Sequence, residues 1–456
     1  MIHRYQKNGL NFVLDVNSGA VHVLDDISYA VSGLIDETMA EDCPQSVVDA
    51  LGQYDASEVR EAYGELYALK KSGQLFAEDD YIDVSKYIPV GAPVKALCLH
   101  VAHDCNLRCT YCFASTGDFG QGRKIMPPEI AKKAIDFVIA RSGQRHNIEV
   151  DFFGGEPLMA WDTVVQTVDY ARSLEEKHNK KFRFTITTNG LLLDEDKRAY
   201  INENMDNVVL SLDGRPGVND EFRKTVSGAG SYDVIVPKFK ALVDARDPQK
   251  DYYARGTFTS RNLDFAEDVV HIADAGFDSL SVEPVAADPG CGYDLTEADL
   301  PKIEAEYDRL AEIMLERRRQ GKPFTFFHFM VDLDQGPCVV KRLRGCGAGY
   351  EYVAVTPDGD IYPCHQFVGK EEFKQGSVLD QSFDMEIATK FAGMNIYTRP
   401  KCQKCWAKFY CSGGCSAANY NMNHDMNDSY DLGCEMERKR LECAIYLKAK
   451  EKICAE

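Results

Sequence analysis

The chain lacks any uninterrupted apolar stretch of the ~18 residues that a bilayer-spanning helix requires. It also lacks any excess of positive charge. Its 52 Lys and Arg stand against 72 Asp and Glu, for a net charge of −20. A surface of that sign excludes non-specific binding to nucleic acid or to anionic lipid. From Met1 to Leu24 there is no charged-then-apolar signal pattern, because Asp15, Asn17 and His22 break the run, so a cytoplasmic location is expected. Cysteine, by contrast, is plentiful. Of sixteen, six fall in residues 1–337 and ten in residues 338–456. In a reducing compartment such density points to metal or redox chemistry rather than to disulfides.

With 456 residues, 45% of them hydrophobic, the chain has room for about three domains of ~150 residues each. Residues 1–85 form an acidic block of 5 basic and 16 acidic residues. Asn11–Val16 and Ala20–Leu24 flank the turn signal Asn17-Ser18-Gly19 and predict a hairpin. Helical patterns follow at Ile27–Ile35, Gln45–Leu51 and Ala56–Ser72. A small sheet with three helices resembles a winged helix, but the charge excludes its DNA-binding use. After a linker containing Pro89 and Pro93, strand-like runs occur at Ala96–Val101, Ile148–Phe153, Phe182–Thr187, Val208–Leu212, Ala254–Phe258 and Ser279–Val282. Helical stretches separate them. Six strand–helix repeats predict a parallel α/β sheet, read as a partial (β/α)6 barrel over 95–330, with an open doubly wound sheet as the alternative. Beyond Pro337 the periodicity gives way to glycine, cysteine and aromatics. That stretch (338–456) is expected to be held together by something inorganic.

Cys105, Cys109 and Cys112 form C-x3-C-x2-C directly after the first barrel strand, where barrel enzymes carry their chemistry. Three cysteines do not complete a structural zinc site, which needs four ligands. On a [4Fe–4S] cube, three thiolates leave one iron open to a substrate. Later cysteines follow as Cys346, Cys364, then Cys402-x2-Cys405-x5-Cys411-x3-Cys415, and Cys434. Taken alone, the 402–415 group also suits a zinc ribbon.

The first triad resembles that of the radical S-adenosylmethionine (SAM) enzymes. The resemblance extends to Gly154-Gly155-Glu156-Pro157, Thr187-Thr188-Asn189-Gly190 and Ser211-Leu212-Asp213-Gly214 at successive strand ends. It implies that Cys105, Cys109 and Cys112 hold the cluster, with Gly155 and Glu156 near the methionine ammonium and Ser211 and Asp213 at the ribose. Arg223, twelve residues after Ser211, would meet the methionine carboxylate, and Tyr111 would pack by the adenine. The later array resembles a SPASM domain with two auxiliary [4Fe–4S] clusters, three in all. That resemblance implies Cys402, Cys405, Cys411 and Cys434 around the outer cluster, and Cys346, Cys364 and Cys415 around the inner one. Cys338 is either the inner cluster's fourth ligand, or that cluster keeps an open iron. Cys43, Cys98, Cys291, Cys443 and Cys454 carry no motif.

The N-terminal block resembles the leader-recognition module of peptide-modifying enzymes. With Asp15–Val21 and Cys364-His365-Gln366-Phe367, the chain resembles the maturases of SCIFF peptides (ranthipeptides). That likeness implies a Cys–Thr thioether crosslink in a cysteine-rich precursor peptide with a basic leader, and a low-potential electron donor of flavodoxin or ferredoxin type. Sulfatase-maturase-like oxidation of a Cys or Ser is the rival reaction; an iron–sulfur or zinc peptide-binding scaffold is the rival without catalysis. No residue is singled out as a catalytic base.

Overall fold

A computed structural model describes residues 1–85, 91–333 and 339–453. The chain divides into two compact units, neither continuous in sequence. One comprises Met1–Tyr87, Phe329–Gly345 and Met394–Glu456; the other comprises Ile88–His328 and Cys346–Gly393.

The first unit opens with strands β1 (Ile2–Lys7), β2 (Leu10–Asp15) and β3 (Val21–Leu24), paired antiparallel in that order. Only β2 and β3 are the expected hairpin. β1 joins β2 through Asn8-Gly9, both at positive φ (48° and 76°), the two-residue turn whose twist matches that of its strands. In the β2–β3 turn the backbone N–H of Ser18 donates to Asp15 Oδ1 at 2.9 Å. Helices Asp26–Ser32, Gln45–Ala50 and Ala56–Lys71 lie within two or three residues of the expected spans. Asp25 and Asp55 cap two of them, accepting from the backbone N–H groups of Ser28 and Ser57. Val13, Val31, Val59, Tyr63 and Leu66 form their common core. β3 is an edge strand with Val23 exposed. The C-terminal helix Asp431–Ile453 belongs to this unit; Tyr5 Oη donates to its Glu442 carbonyl at 3.3 Å.

The second unit is built on β4 (Ala96–His103), β5 (Lys124–Ile125), β6 (Asn147–Gly154), β7 (Lys181–Thr188), β8 (Asn207–Ser211), β9 (Asp251–Phe258), β10 (Ser279–Pro284) and β11 (Thr325–Phe326). All six expected barrel strands are present. β4, β6, β7, β8, β9, β10 and β11 are parallel neighbours in strict chain order. A doubly wound sheet reverses its order at a switch point; no reversal occurs here. Each crossover therefore adds its strand on the same side, which makes a partial barrel. Alternation sets which residues face which way. Ile148, Val150 and Phe152 of β6 and Phe182, Phe184 and Ile186 of β7 are at most 1% exposed, while the opposite parity leads to Phe153 and Thr187 at the cavity described below.

The sheet extends further than the strand count predicts. Strands β12 (Tyr352–Val355), β13 (Asp360–Tyr362), β14 (Gly376–Ser377) and β15 (Ser382–Phe383) continue it, with β12 parallel to β4 in the register Tyr352↔Ala96 to Val355↔Leu99. Val353, Ala354 and Val355 are fully buried. Part of the cysteine-rich stretch thus does share an apolar core, because its short apolar runs borrow the barrel's first strand. Among the described residues no helix is long and apolar enough to cross a membrane.

Candidate functional site

At the C-terminal ends of the barrel strands lies a cavity of ≈ 210 Å³ lined by Cys105, Cys109, Cys112, Tyr111, Gly155, Glu156, Ser211 and Arg223 among others. The loop after β4 delivers the three cysteines. Asp104 starts it: its Oδ1 accepts from the Cys105 N–H at 2.8 Å and pairs with Arg123. The Cys105 sulfur accepts from the Leu107 N–H at 3.4 Å and from Asn189 Nδ2 at 3.5 Å, which ties the loop to the end of β7. Burial pushes the Cys105 and Cys109 thiols up to about 12, with nearby negative charge adding to the rise at Cys105 and Arg223 opposing it at Cys109. Such thiols yield thiolates to a strong positive partner, as cluster irons are.

The two glycines after β6 let backbone approach this loop. A Cβ on Gly155 would lie 2.2 Å from the Asp104 carbonyl oxygen and 2.9 Å from that of Gly117. Gly154 sits at φ +124°, 2.2 Å in the same sense from the Ala102 carbonyl oxygen. Any side chain there would fill the cradle. Beside them Glu156 is 1% exposed, and three groups donate to it: the Leu158 N–H, Thr188 Oγ1 and the Asn189 N–H, at 2.8–3.0 Å. Burial raises its carboxyl to about 7 against those bonds. Glu156 therefore fastens the ends of β6 and β7 together while it lines the cavity.

Ser211 ends β8 and also lines the cavity. Asp213 does not. It is fully buried; its Oδ2 accepts from Tyr111 Oη at 2.6 Å and lies 3.0 Å from Arg223 Nε, and its Oδ1 accepts from the Thr257 N–H at 3.0 Å. The strand stops at Ser211, so the parity that would place residue 213 beside 211 no longer holds. Arg223 sits 5.6 Å over the Tyr111 ring, and both line the cavity.

The far wall contains Arg255 and Glu283, which no motif marks, and His365 of the Cys364–Phe367 segment. Arg255 of β9 pairs with Glu283 of β10. His365 follows Cys364 and lies 5.1 Å and 5.6 Å from the rings of Phe153 and Phe113. Its ring nitrogen Nδ1 is 3.3 Å from Tyr352 Oη, and burial with Arg255 nearby lowers its pKa to about 4. The signal that marks Arg255 and Glu283 is position alone: polar residues of cavity parity at the C-terminal ends of strands.

The first unit holds a second cysteine group. Cys402, Cys405, Cys411 and Cys434 line one cavity of ≈ 50 Å³ with Lys408, Glu437 and Arg438. Burial pushes the Cys411 thiol to about 12 and the Cys434 thiol to about 11. Arg438 Nη1 approaches the Cys405 sulfur at 3.9 Å and Ser429 Oγ that of Cys402 at 3.4 Å, contacts suited to thiolates. Among the described residues no three His, Cys, Asp or Glu side chains meet around one ion; a [4Fe–4S] cube instead spreads its thiolates over separate irons. Cys346 and Cys364 belong to the barrel unit, Cys415 to the other. Cys338 and Cys454 lie outside the described residues.

Residues 99–250 match the radical SAM superfamily, and residues 346–406 match SPASM, an iron–sulfur cluster-binding domain. The chain is 24% identical to the cysteine-type anaerobic sulfatase-maturating enzyme of Clostridium novyi (strain NT), over 73% of this chain and 90% of that one. It is 27% identical to mycofactocin maturase MftC of Mycobacterium ulcerans (strain Agy99), over 72% and 84%. Two solved structures share the fold. Native anSMEcpe with bound AdoMet has a TM-score of 0.65 at 20% identity and covers 79% of this chain and 100% of its own. Streptococcus suis SuiB bound to precursor peptide SuiA has a TM-score of 0.53 at 17% identity and covers 92% and 95%. The two matched domains imply [4Fe–4S] clusters and SAM. The three-thiol loop, the glycine cradle and the buried arginine fit that pair of groups.

Proposed function

We propose that this chain, a radical SAM enzyme carrying a SPASM domain, binds a cysteine-rich precursor peptide by its leader and joins a cysteine sulfur to a threonine carbon. The observation that supports the peptide reading is the acidic N-terminal block with its edge strand β3, present in addition to the cysteine-lined cavity of the barrel. An extended leader can pair with such an edge through main-chain hydrogen bonds, and the local charge favours a lysine-rich one. The Cys–Thr specificity rests on the SCIFF-maturase likeness of Asp15–Val21 and Cys364–Phe367.

When bound, three [4Fe–4S] clusters and SAM would supply a 5′-deoxyadenosyl radical and an acceptor for the surplus electron, with a flavodoxin- or ferredoxin-type donor upstream. The chain's own residues do the rest. Cys105, Cys109 and Cys112 hold the first cluster, and Cys402, Cys405, Cys411 and Cys434 hold an auxiliary one. Arg223 presents positive charge to the carboxylate of an amino acid, and Glu156 borders the same cavity. Phe113 and Phe153 give the same cavity an apolar wall.

Resemblance to sulfatase maturases favours a second reading, oxidation of a Cys or Ser side chain. Against it, the whole of anSMEcpe is matched by 79% of this chain, which leaves about a fifth over for a further module. Anaerobic turnover of a leader-bearing, cysteine-rich peptide with SAM and a reductant separates the readings by tandem mass spectrometry. The expected product keeps its sulfur, loses two hydrogens and carries a Cys–Thr link. An oxo group in place of sulfur supports the second reading, and SAM cleavage without any peptide product counts against both.

A further inference from the structure

Asp213 stands at a strand end where a carboxylate would ordinarily be read as a ligand contact, yet none of its geometry faces the cavity. It is fully buried, with Oδ1 taken by the Thr257 N–H and Oδ2 shared by Tyr111 Oη and Arg223 Nε. The approach of β8 to β9 at this point needs Gly256, whose Cβ would lie 2.6 Å from the Leu212 carbonyl oxygen. Arg223, 11% exposed on its side chain, is therefore ion-paired from behind, its Nε 3.0 Å from the carboxylate though outside hydrogen-bond geometry, while its guanidinium borders the cavity. Arginine offers a rigid fork of donors, so a carboxylate that draws one edge by charge turns the others toward the cavity. The Tyr111 ring lies under the same guanidinium and is anchored by the same oxygen.

We infer that Asp213 is a positioning residue: it aims Arg223 at an amino-acid carboxylate and sets Tyr111 beside it, and it makes no contact with a ribose. This rests on the radical SAM reading above, because the carboxylate in question is that of the SAM methionine. A buried aspartate serves the purpose well. It neutralises a guanidinium that burial would otherwise penalise, and its other oxygen is fixed by backbone. The ligand's carboxylate then meets an oriented, charged donor pair rather than a flexible side chain, at little ordering cost.

The test is a double-mutant cycle read by equilibrium binding of SAM to the reconstituted protein: Asp213→Asn, Arg223→Gln and the two combined. Asp213→Asn is expected to weaken SAM by on the order of 10–100-fold, as loss of a residue that orients a ligand-holding group does. The combined variant is expected to bind no more weakly than Arg223→Gln alone. A structural defect would not be silent in that background. Equal multiplicative losses in both backgrounds would show that Asp213 acts independently of Arg223, by contact with SAM or by a general defect, and would overturn the inference. Should Asp213→Asn fail to fold because Arg223 is left uncompensated, Arg223→Gln against the neutral combined variant still decides the matter. Decarboxylated SAM gives an independent readout. Asp213→Asn should cost it far less than it costs SAM, whereas a loss equal to that for SAM would restore the ribose contact and refute the positioning role. Failure of the unaltered protein to bind SAM would refute the parent reading, and this inference with it.

Discussion

Replacing Gly155 with alanine tests the cradle most directly. The added Cβ would meet the Asp104 carbonyl oxygen at 2.2 Å and carbon at 2.6 Å, and the Gly117 carbonyl oxygen at 2.9 Å. All three are backbone atoms on two different segments, so no rotamer change relieves the contact. Ordinary contact begins near 3.4 Å, so the loop that starts at Asp104 must retreat by about 1 Å. Overpacking of this kind costs roughly 1–3 kcal/mol, which should lower the melting temperature by several degrees. The displacement falls on Cys105, one residue along, so the functional loss should exceed the stability loss; misplacing a reacting group by ~1 Å costs on the order of 10²-fold. Iron and sulfide content after anaerobic reconstitution, and SAM binding, are the readouts. Gly64→Ala is the control: it lies exposed in helix Ala56–Lys71 with nothing within 4 Å of its Cβ, and should stabilise by about 0.5–1 kcal/mol. A Gly155→Ala protein with full iron, unchanged SAM affinity and an unchanged melting temperature would refute the argument.

Three further outcomes follow from particular side chains. Burial raises the Asp151 carboxyl to about 7, against the pull of Arg255, and its Oδ1 has no partner. A carboxyl raised on folding lends stability that is complete below its unfolded value near 4 and lost as the pH climbs through about 7. Asp151→Asn should therefore raise the melting temperature at pH 8 and leave it nearly unchanged at pH 4; equal shifts at both would contradict this. Cys411→Ala should remove one cluster's worth of iron while SAM still binds, and an unchanged iron content would exclude that cavity as a ligand set. Binding of a lysine-rich leader should weaken steeply between low and high salt, and an affinity indifferent to salt would move recognition away from the acidic block.

Much of this was legible in residue order. The barrel strands and helices follow from runs and periods that operate within ten or twenty residues. Helices Pro128–Arg141, Glu195–Asn204 and Leu300–Arg319 start and stop where proline, capping residues and the apolar stripe require. The cysteine triad was legible because its spacing is its chemistry. β12 was not, because Tyr352–Val355 is a four-residue run whose partner lies some 250 positions earlier, and no local pattern encodes that pairing. Asp213 was legible as a functional residue but not as one that faces away, since its orientation depends on where β8 ends and on a turn at Gly214 with φ +137°. Arg255 and Glu283 show the converse: only the assembled wall reveals that two ordinary strand residues share a cavity.

The pairing of β12 with β4 carries a consequence for biosynthesis. As the chain leaves the ribosome, β4 emerges with its outer edge bare; β5 soon pairs with Ala102 and His103, but the partner of Ala96–Leu99 follows only after roughly 250 further residues. At about 5–20 residues per second that interval lasts ~12–50 s. Throughout it, one flank of an apolar parallel strand is a template for any extended neighbour. The nascent barrel thus spends most of its synthesis in the state most open to aggregation, and cellular yield should depend on elongation rate and on chaperone occupancy of that flank.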